Sequence, residues 1–587
     1  MIQHLTHVFT GLAGLEDDIV NGAIAYANQD SSAQLVQIYS GSVDKQMVGS
    51  IVDTIKSLLP NASIVGATTS GEVASGLLKT RKIVIGFTFF EATQLKVLTF
   101  SGEKGEEAAL AAQAALLLVE PDLKLAAVLA LVTAVDLDAP EFLQGLEQPL
   151  GGVPLFGGGA GTYEADRKTF VINEHGLVNS SVAVVGFYSD ELSVYQQKYL
   201  GWQPLSKSMN ITELAGRDLI SVDNSPALDV YRRYLKLSEE DDFFSTTMAF
   251  PFLFERGDDL IARVPISVEQ NGVLRFTADI HQESFRIGYG NIDEMVQAAH
   301  TRIEDVQQFS PEAIFVFSCV CRRYLMQDSV NLETEPLESV APTFGFYTFG
   351  EFQGQDEYVH YSHCITTACL REGDSRALDK QHEENSITNA IADNDPYINQ
   401  HAKIVSHLLT FADAVTAELE ESVKVVSTKA EMDALTKLAN RMSLDQALAE
   451  QITEAEKARV FSAILIDIDH FKQINDSYGH LAGDHVLVRT AEILNEQLRS
   501  NDLLGRWGGE EFLVLVSDAD ADGAQVVAEK LRAALDAAEF DGAGHVTASF
   551  GVAEYRRGDT AASLVARADA ALYVAKRSGR NCVHIGR

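Results

Sequence analysis

Short, strongly apolar β-like runs separated by turns and helical stretches are what most constrain this chain. Leu35–Tyr39, Lys82–Phe90, Val182–Phe187 and Ile314–Ser318 read as strands, and Glu107–Val119 reads as a helix between them. Alternation of this kind excludes an all-helical bundle and an all-β sandwich. It predicts a multidomain α/β (α+β) protein, since the 587 residues suffice for about three or four cores. Leu125 to Val135 is the longest apolar run, well short of the ~20 residues that span a bilayer. It reads as a buried strand. Met1 to Val20 lacks the basic start and apolar core of a secretory signal. A cytoplasmic protein with no membrane association is expected.

Charge narrows the partners. A formal net charge of −38 repels nucleic acid and anionic lipid, whose binding needs clustered Lys and Arg. No nucleic-acid partner is expected, and a nucleotide would have to be met locally by metal ions and a few basic side chains. The five cysteines, Cys319, Cys321, Cys364, Cys369 and Cys582, are too few and too uneven for a disulfide framework. Cys319-Val-Cys321 has the wrong spacing for a redox CxxC or a zinc knuckle, and burial in a strand is expected.

Residues 371 to 400 are polar and charged and read as a linker or peripheral helix. Over 401–430, Val405, Leu408, Ala412, Val415, Leu419, Ser422 and Val426 alternate spacings of three and four. That is the rhythm of a two-helix seam, against which an ordinary amphipathic helix stands as the alternative. After Met432 the predicted order is helix 440–456, strand Phe461–Ile468, helices 471–477 and 483–498, and a hairpin of Leu503–Trp507 with Phe512–Val516. Helix 523–537, strand Val546–Val552, helix Ala561–Ser578 and a strand near Cys582–Ile585 follow. Hairpins mixed with crossover helices suggest a ferredoxin-like, polymerase-palm arrangement.

The chemistry gathers in this last part. An apolar strand ends at Asp467 and Asp469, which alternation places on one face. Glu510 and Glu511 follow the turn Gly508-Gly509 of the hairpin. Carboxylates converging at strand ends are oxygen ligands for Mg²⁺ that bridges substrate phosphates. The helix beginning near His470 offers free N–H groups to a phosphate.

Asp433-Ala-Leu-Thr-Lys-Leu-Ala-Asn-Arg441, Asp467-Ile-Asp-His-Phe-Lys-Gln-Ile-Asn-Asp476, Gly479-His480, Gly483-Asp484, Arg506-Trp-Gly-Gly-Glu-Glu-Phe512 and Ala575-Lys-Arg-Ser-Gly-Arg-Asn581 together resemble the GGDEF family. The resemblance covers about 155 residues. It implies a diguanylate cyclase that joins two GTP into cyclic di-GMP and releases two pyrophosphates. It also implies Mg²⁺, two ions per GTP site, held by Asp467, the main-chain carbonyl of Ile468, and Glu510. Glu511 would support the metals or activate the attacking 3′-hydroxyl, and Asn475 and Asp484 would bind guanine. Phe471, Lys472, Lys576 and Arg580 would hold the triphosphate. One domain holds one GTP, so a homodimer is implied. Arg499 and Asp502, with five residues between Asp502 and Gly508, resemble the family's product-inhibition site.

Asp223 to Leu235, Phe317-Ser-Cys-Val-Cys-Arg322, Gly345-Phe-Tyr-Thr-Phe-Gly-Glu-Phe352 and Val65-Gly-Ala-Thr-Thr-Ser-Gly-Glu-Val73 resemble FIST sensory domains. The implied division is 1–205 FIST N-terminal domain, 206–372 FIST C-terminal domain, 373–430 linker and signalling helix, and 431–587 GGDEF domain. A small-molecule ligand such as an amino acid is implied for the FIST region, with haem as the alternative. Glu351 is the best candidate for meeting a ligand's ammonium group. His360 and His363 read as ordinary histidines and Cys319 as a buried thiol before either reads as a ligand. Gly157 to Gly161 lacks the Lys-Ser/Thr of a P-loop and reads as turn glycines.

Overall fold

The computed structural model describes every residue except 28–32, 165–166, 238–242, 258, 277, 279, 374–399, 456–459, 542 and 587, and describes backbone alone at 244–245 and 421–430. It divides into two units, Met1–Val415 and Thr416–Arg587.

The predicted strands of the first unit are present as Ala33–Ser40, Ile83–Phe90, Ser181–Tyr188 and Ala313–Cys319. They carry near-continuous apolar residues because both their faces are covered. They belong to three six-stranded sheets of one design. In each, two central strands run parallel: Ala33–Ser40 with Ser63–Thr68, Leu125–Val132 with Leu155–Gly159, and Ala313–Cys319 with Thr343–Thr348. Helices Lys45–Leu58 and Ala139–Leu150, and the pair Val320–Met326 and Asn331–Glu338, make the crossovers. Two antiparallel strands flank each first central strand: Ile83–Phe90 with Ile2–Val8, Ser181–Tyr188 with Gln94–Ser101, and Ile365–Glu372 with Leu192–Tyr199. The other edge is a hairpin borrowed from a different repeat. Glu72–Ala74 and Leu77–Lys79 complete the third sheet, Val171–Asn173 and Gly176–Val178 the first, and Glu351–Gly354 and Val359–Tyr361 the second.

One glycine recurs at the same place in each repeat. A Cβ on Gly66, Gly157 or Gly345 would fall on the backbone carbonyl oxygen of Ile38, Ala130 or Val316, its partner in the parallel ladder. The run Gly157–Gly161 therefore answers to packing. Its next members press on Thr348, Phe349 and Ser70, where the three repeats meet. These glycines lie largely in a strand, Leu155–Gly159, and not in a turn. The third repeat also carries a long insertion with a nine-stranded sheet, between Leu192–Tyr199 and Ala313–Cys319.

Because hairpins are exchanged, a boundary after residue 205 falls inside this unit. Leu155–Gly159 pairs with Glu351–Gly354, and Leu192–Tyr199 pairs with Ile365–Glu372. The linker expected over 371–400 lies mostly outside the described residues. Helix His401–Glu431 follows, and the expected stripe is met only in part. Ile404 and Phe411 are buried with Leu408 and Val415 packed beside them, whereas Val405 and Leu419 are exposed. An aromatic surface is the reason: Phe411 stacks on Tyr234 at 4.9 Å and on Phe250 at 6.3 Å. Ser422 and Val426 fall among the residues whose side chains are not described.

The second unit follows its predicted order closely. Its sheet runs Leu503–Arg506, Glu511–Ser517, Phe461–Ile468, Ala548–Glu554, Val583–Ile585, antiparallel except for the last pair. Ile464, Ile466 and Ile468 face a core shared with helices His480–Gln497 and Ala521–Asp536. Ala463 and Leu465 face another, shared with Arg441–Ala455 and Ala561–Arg577. Helices on both faces explain why the central strand has no polar side.

Candidate active site

Strand Phe461–Ile468 is buried throughout and delivers Asp467, only 5% exposed, near its C-terminal end. The antiparallel register sets Asp467 opposite Glu511, and the Ile468 N–H donates to the Glu510 carbonyl at 3.3 Å. The hairpin thus brings both glutamates beside Asp467. Lys576, in the last turn of helix Ala561–Arg577, places Nζ 2.7 Å from the Asp467 carboxylate. Burial raises the Asp467 pKa above the ordinary carboxylate value, and Lys576 opposes the rise. Burial also raises Glu510 and Glu511, and the charge of Asp467 adds to both. The result is an acidic cluster held together against its own repulsion, with one ammonium group in it.

Asp469 has a different part. Its carboxylate accepts from Thr547 and Ser549 at 2.7 Å and from the Asn581 N–H at 3.0 Å. It ties the end of the central strand to its neighbour and to the segment carrying Arg580. Arg580 itself has φ 66° and donates its N–H to the Ala575 carbonyl at 3.2 Å.

The hairpin is held from outside by two motif residues, Arg506 and Asp433, to which the sequence assigned no role. The Arg506 guanidinium donates to the carbonyls of Gly508 and Gly509 at 3.1 and 3.2 Å and to Asp433 at 3.3 Å. Asp433 also accepts from Thr436 N–H and hydroxyl at 2.8 Å. The opening motif is therefore a brace for the hairpin, and the arginine directly before Trp507 was its signal. A Cβ at Gly508 would approach the Glu511 carboxylate to 2.8 Å, so this glycine leaves that side chain its place in the cluster.

Asn475 is half-buried on helix Phe471–Tyr478, and Asp484 is exposed on helix His480–Gln497. A Cβ at Gly483 would overlap the Asn475 amide oxygen, so this glycine makes room for that side chain. Phe471 is buried and Lys472 exposed at the start of the same helix, which follows His470 at φ 58°. Arg499 is exposed, and its N–H donates to Asp502 at 3.2 Å. Asp502 also accepts from the Ser517 N–H at 3.3 Å. That contact sets the pair at the far end of strand Glu511–Ser517, roughly 20 Å from Glu511 at strand rise.

A cavity of about 1050 Å³ in the first unit is lined by Arg217, Arg256, Arg263, Arg275, Asp138, Glu141, Cys319, Cys321 and His360, among others. Glu351 is not among its lining residues. It is fully buried and accepts from the Thr348 hydroxyl at 2.6 Å and the Cys364 N–H at 3.2 Å. Its expected role toward a ligand ammonium is replaced by a structural one. A wall so rich in charged side chains does not fit a porphyrin, which needs a broad apolar slot, and haem is not supported. Cys319 ends strand Ala313–Cys319 and Cys321 lies in helix Val320–Met326. The pair therefore spans a strand-to-helix corner and does not lie within a strand.

Residues 430–582 match the family model described as diguanylate cyclase, GGDEF domain. Residues 34–225 match the FIST N domain and 227–353 the FIST C domain. Diguanylate cyclase DgcP of Pseudomonas aeruginosa is 40% identical over 162 residues, 27% of this chain and 24% of that protein. Diguanylate cyclase A of Treponema denticola is 42% identical over 139 residues, 23% of this chain and 38% of that protein. The chain thus spans less than half the length of either relative. The solved GGDEF domain of DgcB from Caulobacter crescentus, in complex with c-di-GMP, is 35% identical, with 27% of this chain and 96% of that chain covered and a TM-score of 0.26. Among the described residues, no helix is long and apolar enough to cross a membrane.

Proposed function

From the premise that this chain carries a GGDEF domain of the diguanylate cyclase family behind FIST N and FIST C domains, we propose that it condenses two GTP into cyclic di-GMP under control of its FIST region. The observation that carries this reading is the cluster of Asp467, Glu510 and Glu511 around the Lys576 ammonium.

The donor set fits the cation that the family implies. It is all oxygen and anionic, as Mg²⁺ requires, with no thiol or imidazole in it. Asp467, Glu510 and the carbonyl of Ile468 would hold two Mg²⁺ at each GTP site. When bound, Mg²⁺ neutralises charge on the attacking and leaving oxygens. Lys576, which now pairs with Asp467, is freed to meet phosphate once cations take the carboxylate. Arg580, Lys472 and the Phe471 main chain complete the triphosphate contacts. Asn475 and Asp484 read guanine, the carboxylate accepting from the ring N–H and exocyclic amine that adenine lacks. Glu511 draws the proton from the ribose 3′-hydroxyl. The 3′-oxygen bonds to the α-phosphorus of the facing GTP, the bond to the pyrophosphate oxygen breaks, and the same event on the other side closes the ring.

Each domain presents one such half-site on a solvent-facing edge, so two copies must face each other and the active species is a homodimer. Arg499 and Asp502 form a separate product site that restrains the dimer. A small molecule bound in the FIST cavity supplies the input. An enzyme that consumes GTP in this way works in the cytoplasm, where GTP is available.

The test is direct. Full-length protein with GTP and Mg²⁺ yields cyclic di-GMP by chromatography, with a rate per chain that falls on dilution. Glu511→Gln removes the product while leaving the unfolding midpoint in place, and Arg499→Ala raises the product concentration at which turnover stalls. GTP left intact by folded, concentrated dimer would overturn the reading.

A further inference from the structure

The strand-to-helix corner at residues 319–321 gathers a second set of ligating side chains, in a unit far removed in chemistry from the carboxylate cluster. The sulfurs of Cys319 and Cys321 and a ring nitrogen of His363 all lie within 4.8 Å of one another. Cys319 and Cys321 are 3% and 5% exposed and His363 is 0% exposed, and both thiols are free.

The histidine is oriented as a ligand would be. Its Nε2 lies 3.0 Å from the Met248 carbonyl oxygen, so Nε2 carries the proton and donates it there. That leaves Nδ1 as a bare lone pair, and Nδ1 is buried with no hydrogen-bond partner. An unpaired polar nitrogen in the interior is costly, and among the described residues no hydrogen-bond partner relieves it. The ring is held edge-on to Trp202 at 4.8 Å. A histidine whose far nitrogen donates to a backbone carbonyl, fixing tautomer and orientation, is the usual support of a metal-bound imidazole.

From this geometry we infer that Cys319, Cys321 and His363 bind a zinc ion, with the fourth coordination position open toward the FIST cavity. The donor set selects the class of ion: two thiolates and an imidazole suit soft or borderline metals and not Mg²⁺ or Ca²⁺. Charge selects zinc within the class, since two thiolates neutralise Zn²⁺ whereas Cu⁺ would leave a buried net negative charge. Binding releases the two thiol protons to solvent. Both cysteines line the cavity, so the fourth ligand comes from there. Arg263 stands on the same wall and, among the described residues, makes no ion pair. It donates to its neighbour's carbonyl, Ala262 O, at 3.1 Å. An anionic donor, bound to zinc and faced by Arg263, is the ligand class that such a cavity takes.

The experiment uses the full chain, stripped of metal and kept reduced. One equivalent of Co²⁺, the spectroscopic stand-in for Zn²⁺, gives a thiolate-to-metal charge-transfer band that Zn²⁺ then erases. Cys319→Ser and Cys321→Ser each abolish the band, and the unchanged melt of either variant shows that folding is not the cause. Should both variants unfold, alkylation of the wild-type chain decides: Zn²⁺ protects Cys319 and Cys321 in peptide mass spectra while Cys582 reacts as before. No charge-transfer band, a band that survives in the serine variants, or alkylation indifferent to Zn²⁺ would each overturn the inference. None of these readouts depends on turnover of GTP.

Discussion

At the residue scale, the acidic cluster sets the behaviour of the metal-free protein. Asp467, Glu510 and Glu511 all have pKa values raised by burial, with the charge of Asp469 adding to the first and that of Asp467 to the other two. The folded state therefore binds their protons more tightly than the unfolded chain does. Between the ordinary carboxylate range and the raised values, stability falls as pH rises, and it levels off above them. Glu510→Gln removes one of the three charges. In metal-free buffer near neutrality its unfolding midpoint should rise, and the further rise that Mg²⁺ brings should shrink. Thermal melts with and without Mg²⁺ across pH check both signs. Gly483 gives a second residue-level prediction. A methyl group there displaces the Asn475 amide, which is the free end of a side chain and can move without breaking the fold. Gly483→Ala should raise KM for GTP about tenfold or more, the worth of one lost hydrogen bond to the base, with kcat changed less. Steady-state kinetics separates the two constants.

At the element scale, helix His401–Glu431 shows a pattern that is right in period but only partly right in its members: Leu408 and Val415 pack, and Val405 and Leu419 do not. Spacings of three and four are equally served by the stripe through Val405 and by the one through Ile404. The choice was made by an aromatic surface formed by Tyr234 and Phe250, over 150 residues earlier in the chain and invisible in any local window. Phe411→Ala should cost about 3 kcal/mol or more in denaturant unfolding of the first unit. Leu409, 65% exposed on the opposite side, should tolerate alanine within about 0.5 kcal/mol. Equal effects at the two positions would overturn the assignment of the Phe411 side as the packed face. In the second unit no such ambiguity arises. Its elements end in recognisable turns, so hydrophobic period and turn residues were enough to order them, although the central strand pairs with two strands distant in sequence.

At the scale of the whole molecule, cyclic exchange of hairpins makes the first unit indivisible. Each six-stranded sheet closes only with strands from another repeat, so a chain cut after residue 205 leaves edges that nothing covers. Residues 1–205 alone should lack a cooperative unfolding transition by circular dichroism, while residues 1–415 should show one. The sequence by itself determined much of the second unit: its element order and the carboxylates at a strand end and a hairpin turn are read from local motifs, because hydrophobic period and turn residues are local signals. It also determined that the first unit is α/β, through runs too apolar to face water. Only the tertiary structure decided which glycines serve packing, that Glu351 is structural, that Asp433 braces the hairpin, and that Cys319, Cys321 and His363 converge. Each of those depends on contacts between segments distant in sequence, and local periodicity carries no record of which distant strand will be the neighbour.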